Sequence, residues 1–235
     1  MSSAKTDGSR FSIPILYRKG FLLAADKPAG IPIHATLDPK RENFEALVLK
    51  QEKLPYLRLV HRLDRDTSGL VLFCTDPERN KDADSILSES EKTYICITEG
   101  VAEEEEFRVE CFLKEGKDRM ISVRSGGKKA ITDFKTLGTN PKLGLSLIQA
   151  RLVTGRRHQI RFHLASIGIP ILGDKTYGFD PPKKKSGWKM PDRFLLHSYL
   201  LKFKNEFGEE ISLNSPIPKD FSSYLSFFSG IHLPI

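Results

Sequence analysis

Apolar and polar positions along the chain change rhythm in a way that separates strands from helices. Short apolar runs at Ile13 to Leu16 and Phe21 to Ala25 predict two strands near the start. Lys27-Pro28-Ala29-Gly30-Ile31-Pro32 then reads as a loop stiffened by its prolines. Phe44 to Lys50 predicts a helix, and the unbroken apolar run Leu70 to Cys74 a buried strand. That run ends at Thr75-Asp76-Pro77-Glu78, where Asp76 suits a cap and Pro77 the first position of a helix reaching about Ser90. Strand-like segments follow at Lys92 to Ile97, Phe107 to Phe112, Met120 to Val123, Ala130 to Leu137 and Leu143 to Leu152. The acidic run Glu103 to Glu106 between two of them reads as a solvated turn. Arg157 to Ile167 predicts a helix with Ile160, Leu164 and Ile167 on one face, stopped by Gly168. Leu195 to Phe203 and Glu210 to Leu213 predict strands, and Asp220 to Phe228 a closing helix. Many antiparallel-type strands with a few helices predict an α+β fold. No solenoid repeat and no linker divides the chain. One unit over residues 13–235 is therefore expected, after a loosely attached segment 1–12.

Composition narrows the class. The 235 residues, 39% hydrophobic and 29% charged, describe a globular chain able to bury a sizeable core. No apolar run approaches the roughly 20 residues that span a bilayer, and residues 1–10 lack the apolar core of a secretory signal. Cys74, Cys96 and Cys111 show no metal-type spacing, so reduced thiols and a cytoplasmic location are expected. The net charge of +7 is unevenly placed. Arg151 to Arg193 holds ten Lys/Arg against three Asp, while the remaining residues balance. A basic segment in a neutral chain points to a polyanion, nucleic acid first, although on charge alone a solvated face is the better reading.

Two stretches concentrate chemistry. His61-Arg62-Leu63-Asp64-Arg65-Asp66-Thr67-Ser68-Gly69 gathers carboxylates, guanidiniums, an imidazole and hydroxyls just before the apolar run. A polar loop held by a core strand is a common format for a site; a locally hydrogen-bonded turn is the plainer alternative. The second stretch is Thr154-Gly155-Arg156-Arg157-His158-Gln159-Ile160-Arg161-Phe162-His163. Its spacing puts Arg157 and Arg161 on one side of the helix. Arginines at a helix start oppose the positive end of the dipole, a misfit that an anion there would relieve. The alternative is arginines lying along the surface on packed stems.

His61, Asp64, Asp66, His158, His163 and His197 invite a metal reading. His158 and His163, five apart, cannot chelate from one helix face, and no H-E-x-x-H or C-x-x-C element is present. No metal is expected. The G-x-S-x-G, P-loop and G-x-G-x-x-G patterns are also absent, which weakens hydrolase, NTPase and dinucleotide-binding readings.

His61-Arg62-Leu63-Asp64-Arg65-Asp66-Thr67-Ser68-Gly69-Leu70 resembles the signature H-R-L-D-x-x-T-S-G-L of RluA-type pseudouridine synthases. Asp26-Lys27-Pro28-Ala29-Gly30 with His34 resembles the family's first motif, and Lys92-Thr93-Tyr94 its K-x-Y strand. Gly155-Arg156 with His158-Gln159-Ile160-Arg161 and His163-Leu164 resembles its G-R-x-H-Q-I-R-x-H-L helix. Gly173-Asp174, Tyr177-Gly178 and Leu196-His197 complete the set, so the resemblance runs from Ile15 to about Leu225.

The resemblance implies a mixed, mostly antiparallel sheet in two halves, with flanking helices and a central catalytic cleft. It implies an enzyme that isomerises uridine in ribosomal or transfer RNA without cofactor or metal. Asp64 matches the catalytic aspartate, Arg161 its arginine partner, Tyr94 the tyrosine that stacks on the base and could take the carbon-5 proton, and Leu196 the apolar residue against that base. Arg62 matches a position that fills the RNA stack when the uridine flips out. Arg65, Arg156, Arg157, His158 and the loop lysines Lys183, Lys184 and Lys185 are expected to contact RNA. Two departures stand out: Arg157 occupies a position usually small or polar, and the Pro181 to Trp188 loop is longer and more basic than expected. About a dozen residues precede Ile13, so the expected form is a monomeric catalytic domain reading a stem-loop without an S4 domain. A catalytically silent RNA-binding protein on the same scaffold is the main alternative. An N-glycosidase sharing the carboxylate is the other.

Overall fold

A computed structural model describes residues 12–35, 42–179 and 189–234. Its strands join one mixed sheet. The first hairpin pairs β1 (Ile15–Lys19) with β2 (Leu22–Lys27). Helix α1 (Phe44–Gln51) follows, its Asn43 side chain accepting the Ala46 N–H at 3.0 Å, as an N-cap should. The short strand β3 (Arg58–Leu59) and then β4 (Ser68–Cys74) come next, β4 pairing with β2. Asp76 caps a single 3₁₀ turn at Pro77–Arg79, and α2 (Asn80–Glu89) continues from it.

The other half of the sheet is longer. It is built from β5 (Glu91–Glu99), β6 (Glu106–Glu115), β7 (Met120–Ser122), β8 (Lys128–Asn140) and β9 (Leu145–Leu152). Helix α3 (Gln159–Ser166) is followed by β10 (Leu196–Lys204), β11 (Glu210–Asn214) and α4 (Lys219–Leu225). The spatial order is β1-β2-β4-β10-β5-β9-β8-β6-β7, with β3 on β4 and β11 on β10. Every pairing is antiparallel except β4 with β10, which run parallel through only two residue pairs, Ser68 with His197 and Gly69 with Ser198. That seam divides the sheet into its two halves.

Helices cover both faces beside the seam, which explains why β4 is apolar without alternation. Val71 and Phe73 turn to the side holding Phe44 and Val48 of α1, and Ile160 and Leu164 of α3. Leu70, Leu72 and Cys74 turn to the other side, under Ala83 of α2. In β5, Tyr94 and Cys96 share the α3 side, while Ile95 and Ile97 lie under Phe221 of α4. Among the described residues no helix is long and apolar enough to cross a membrane.

The helix expected from Arg157 begins two residues later. His158 adopts a left-handed backbone, φ 52° and ψ 20°, immediately before it. Arg156 and Arg157 therefore lie in the preceding turn, and Arg157 does not share a helix face with Arg161. The Gln159 side chain enforces this start. Its Oε1 accepts the Arg156 N–H at 3.0 Å and the Thr154 hydroxyl at 2.8 Å, while its Nε2 donates to Ile131 O and Thr132 Oγ1, each at 2.9 Å. The expected segment 1–12 falls almost wholly, and the Lys183 to Lys185 loop wholly, outside the described residues.

Candidate active site

A cleft of about 810 Å³ opens over the seam, on the α1 and α3 side of the sheet. The loop before β4 brings Asp64 into it, β5 brings Tyr94, α3 brings Arg161, and the first residue of β10 is Leu196. Arg161 Nη1 donates to Asp64 Oδ2 at 2.9 Å. The same guanidinium grips Asp174 with two parallel bonds, Nε to Oδ2 at 2.7 Å and Nη2 to Oδ1 at 2.9 Å. Fork-to-fork pairing fixes the guanidinium plane, so Asp174 aims the remaining nitrogen at Asp64. Asp174 is itself held, since its Oδ1 accepts the N–H groups of Thr176 and Tyr177. The rings of Phe194 and Tyr177 lie 4.2 and 5.2 Å from the guanidinium carbon, adding cation–π attraction.

Electrostatics follow from this packing. Burial opposes a charge on Arg161, but Asp174 and Asp64 more than offset it, and its pKa lies above the usual arginine value. Asp64 thus faces a permanent cation, while its own side chain keeps 24% exposure to the cleft. Tyr94 is buried, and that burial, aided by the Asp64 charge, pushes its hydroxyl up to about 12. It is the neutral phenol at neutral pH. The His158 Nδ1 lies 3.0 Å from the Tyr177 hydroxyl and its Nε2 3.6 Å from Asp64 Oδ1. Burial lowers its pKa, against the pull of Asp64.

The loop carrying Asp64 is clamped from beneath by a residue the sequence reading left without a role. Lys27 is fully buried, and its ammonium donates to Pro28 O at 3.0 Å, Arg65 O at 2.8 Å and Thr67 O at 2.9 Å. The Gly30 N–H donates to Arg65 O at 2.9 Å, so the first motif braces the second. Burial lowers Lys27 to about 7, with the Asp66 charge opposing the shift.

The residues expected to touch RNA divide. Arg62 and Arg156 are exposed and line the cleft, Arg156 also donating to Lys129 O at 3.0 Å. Arg65 is paired with Asp66 through two bonds of 2.9 Å, and Arg157 with the exposed Glu115. His158 stands inside the carboxylate cluster.

The family comparison joins this geometry to a chemistry. A model described as RNA pseudouridylate synthase matches residues 22–166, well over half of the chain and including Asp64, Tyr94 and Arg161. The chain belongs to the RNA pseudouridylate synthase family. An uncharacterised RNA pseudouridine synthase of Zymomonas mobilis is 33% identical over 229 residues, covering 89% of this chain and 98% of that protein. Another, from Bacillus subtilis, is 32% identical over 222 residues, 90% of this chain and 70% of that protein. Among solved structures, human RNA pseudouridylate synthase domain containing 4 superposes with a TM-score of 0.75 over 94% of each chain. At 24% identity it shows the fold. The chain is an RNA pseudouridine synthase, an isomerase with an α+β fold.

Proposed function

We propose that the cleft converts uridine to pseudouridine in ribosomal or transfer RNA, with Asp64 as nucleophile. The arrangement that carries this reading is the Asp64 carboxylate, 2.9 Å from a buried arginine and lining the same cleft as Tyr94 and Leu196. A carboxylate oxygen of Asp64 bonds to the nucleoside as the glycosidic bond to nitrogen 1 breaks. Uracil, detached but enclosed, turns so that carbon 5 faces the ribose. Carbon 5 then bonds to the sugar, Asp64 departs with its electron pair, the carbon-5 proton is lost and nitrogen 1 gains one. Atoms and charge balance without a cofactor.

Each neighbour has a task in that sequence. Arg161 holds the Asp64 carboxylate in place through a charge-assisted hydrogen bond of 2.9 Å. Tyr94 and Leu196 receive the base between a ring and an apolar side chain. Stacking of this kind is worth roughly 1–3 kcal/mol per base. Flipping a uridine out of its stem costs a few kcal/mol, and Arg62 on the rim is the residue to fill the gap. Arg156 supplies phosphate contact, with Lys183 to Lys185 as further candidates.

Product analysis tests the reading. RNA carrying tritium at carbon 5 of uracil should release the label while the digested strand gains pseudouridine and no abasic site. Free uracil would make the protein a glycosidase, and bound but unchanged RNA would make it a silent binder.

A further inference from the structure

We propose that Arg193 is a positioning residue, which ties the loop carrying Asp64 to the strand carrying Leu196 across the seam of the sheet. The inference rests on the reading of Asp64 as nucleophile. Arg193 precedes β10, and its side chain is 9% exposed. One terminal nitrogen, Nη1, donates to three carbonyl oxygens, Asp66 O at 3.0 Å, Phe194 O at 3.1 Å and Leu196 O at 3.2 Å. The other, Nη2, donates to Ser68 Oγ at 3.2 Å. The outer edge of the guanidinium is held by Asp220, Nε to Oδ2 at 2.6 Å and Nη2 to Oδ1 at 3.1 Å. The nucleophile loop and the base-contacting strand thus meet on one rigid cation.

The seam needs such a tie at this point. The β4 and β10 strands share only two residue pairs, whereas each has six with its neighbour on the far side, β2 and β5. Asp64 approaches the cleft from one half, Tyr94, Arg161 and Leu196 from the other. A small slide at the seam would move the nucleophile relative to the base.

The hydrogen bonds also run in one direction. Arg193 donates to Ser68 Oγ, leaving that hydroxyl to donate to His197 Nδ1 at 2.9 Å. The proton on the His197 ring then lies on Nε2, facing Ser215 O at 3.4 Å. A lysine could not repeat this, because a single ammonium lacks the planar fork that reaches carbonyls, hydroxyl and carboxylate together.

The experiment compares single-turnover rate at saturating RNA, RNA affinity and thermal stability in Arg193→Met, Arg193→Lys, Ser68→Ala and Asp220→Ala, with Asp64→Asn alongside. A misplacement of about 1 Å lowers a rate by about 10²-fold. Arg193→Met should therefore slow turnover about 10- to 100-fold with RNA affinity changed less than about threefold, and Arg193→Lys should recover only a minor part. Asp220→Ala, which frees α4 but keeps the carbonyl contacts, should lower the melting temperature and leave the rate within about threefold of the parent. Equal rates in Arg193→Met and the parent, or equal slowing in Arg193→Met and Asp220→Ala, would overturn the proposal. Should Arg193→Met not fold, Ser68→Ala decides: several-fold slower turnover supports the tie, and an unchanged rate refutes it. Full activity in Asp64→Asn would instead bring down the reading on which it stands.

Discussion

Arg161 holds a charge in a place that burial would otherwise empty of charge, because Asp174 and Asp64 both lie against it. Removing one member of such a group leaves a buried ion without its partner, typically a loss of 3–5 kcal/mol. Arg161→Met should therefore abolish turnover and destabilise the fold by about that amount, since the Asp174 side chain is fully buried. Denaturant unfolding checks the second effect, and a loss below about 1 kcal/mol would contradict it. At this scale the motifs that hold Asp64, Tyr94 and Arg161 already mark three residues that the fold brings to one cleft. The contacts that position them are not marked there. Asp174 stands in the Gly173-Asp174 motif, but the motif does not tell that its carboxylate pairs with Arg161 and accepts the Thr176 and Tyr177 N–H groups. Lys27 was harder still, because lysine is almost never fully buried unless paired. The three carbonyls that make its burial tolerable include two from residues 38 and 40 positions away.

The elements were read better than their ends. Strand β4 follows from an unbroken apolar run and β6 from alternation, because burial on two faces or one imposes those patterns. Two-residue β3 is too short to carry a period. The pattern predicts a helix from Arg157 because arginine is a good helix former, while the Gln159 bonds to Ile131 and Thr132 that set the start at Gln159 are tertiary. Gly69 shows the opposite case, a local residue with a tertiary reason. It has φ +113°, and a Cβ there would lie 2.2 Å from Ser198 O across the seam. Gly69→Ala should push β4 and β10 apart, lowering stability by about 2–3 kcal/mol and slowing turnover together. Thermal melting and single-turnover rates check both. A melting temperature equal to the parent's would mean that the strands approach less tightly than described.

For the whole molecule, the basic excess between Arg151 and Arg193 has several destinations. Arg151 pairs with Asp133, Arg157 with Glu115, Arg161 with Asp64 and Asp174, and Arg193 with Asp220. Much of that charge orders the protein, while Arg62 and Arg156 stand exposed at the cleft. Buried histidines set the response to acid. His163 and His197 are 0% and 1% exposed, and burial lowers each to about 4 from 6.5. The unfolded chain binds these protons first, so stability is fully present above about pH 6.5 and is lost as pH falls toward 4. Each contributes up to about 3 kcal/mol. His61 is lowered to about 4 by burial as well, so melting temperature should decline steeply over that window with close to three protons taken up on unfolding, and a flat profile would show that the rings charge within the fold.

The central claim is that Asp64 performs the chemistry and does not merely line an RNA groove. Tritium release from carbon-5-labelled RNA by Asp64→Asn, measured beside its affinity for the same RNA, tests this most directly. The account predicts release reduced by at least about 10³-fold with affinity within about threefold of the parent. Release at the parent's rate by a variant that binds normally would contradict it.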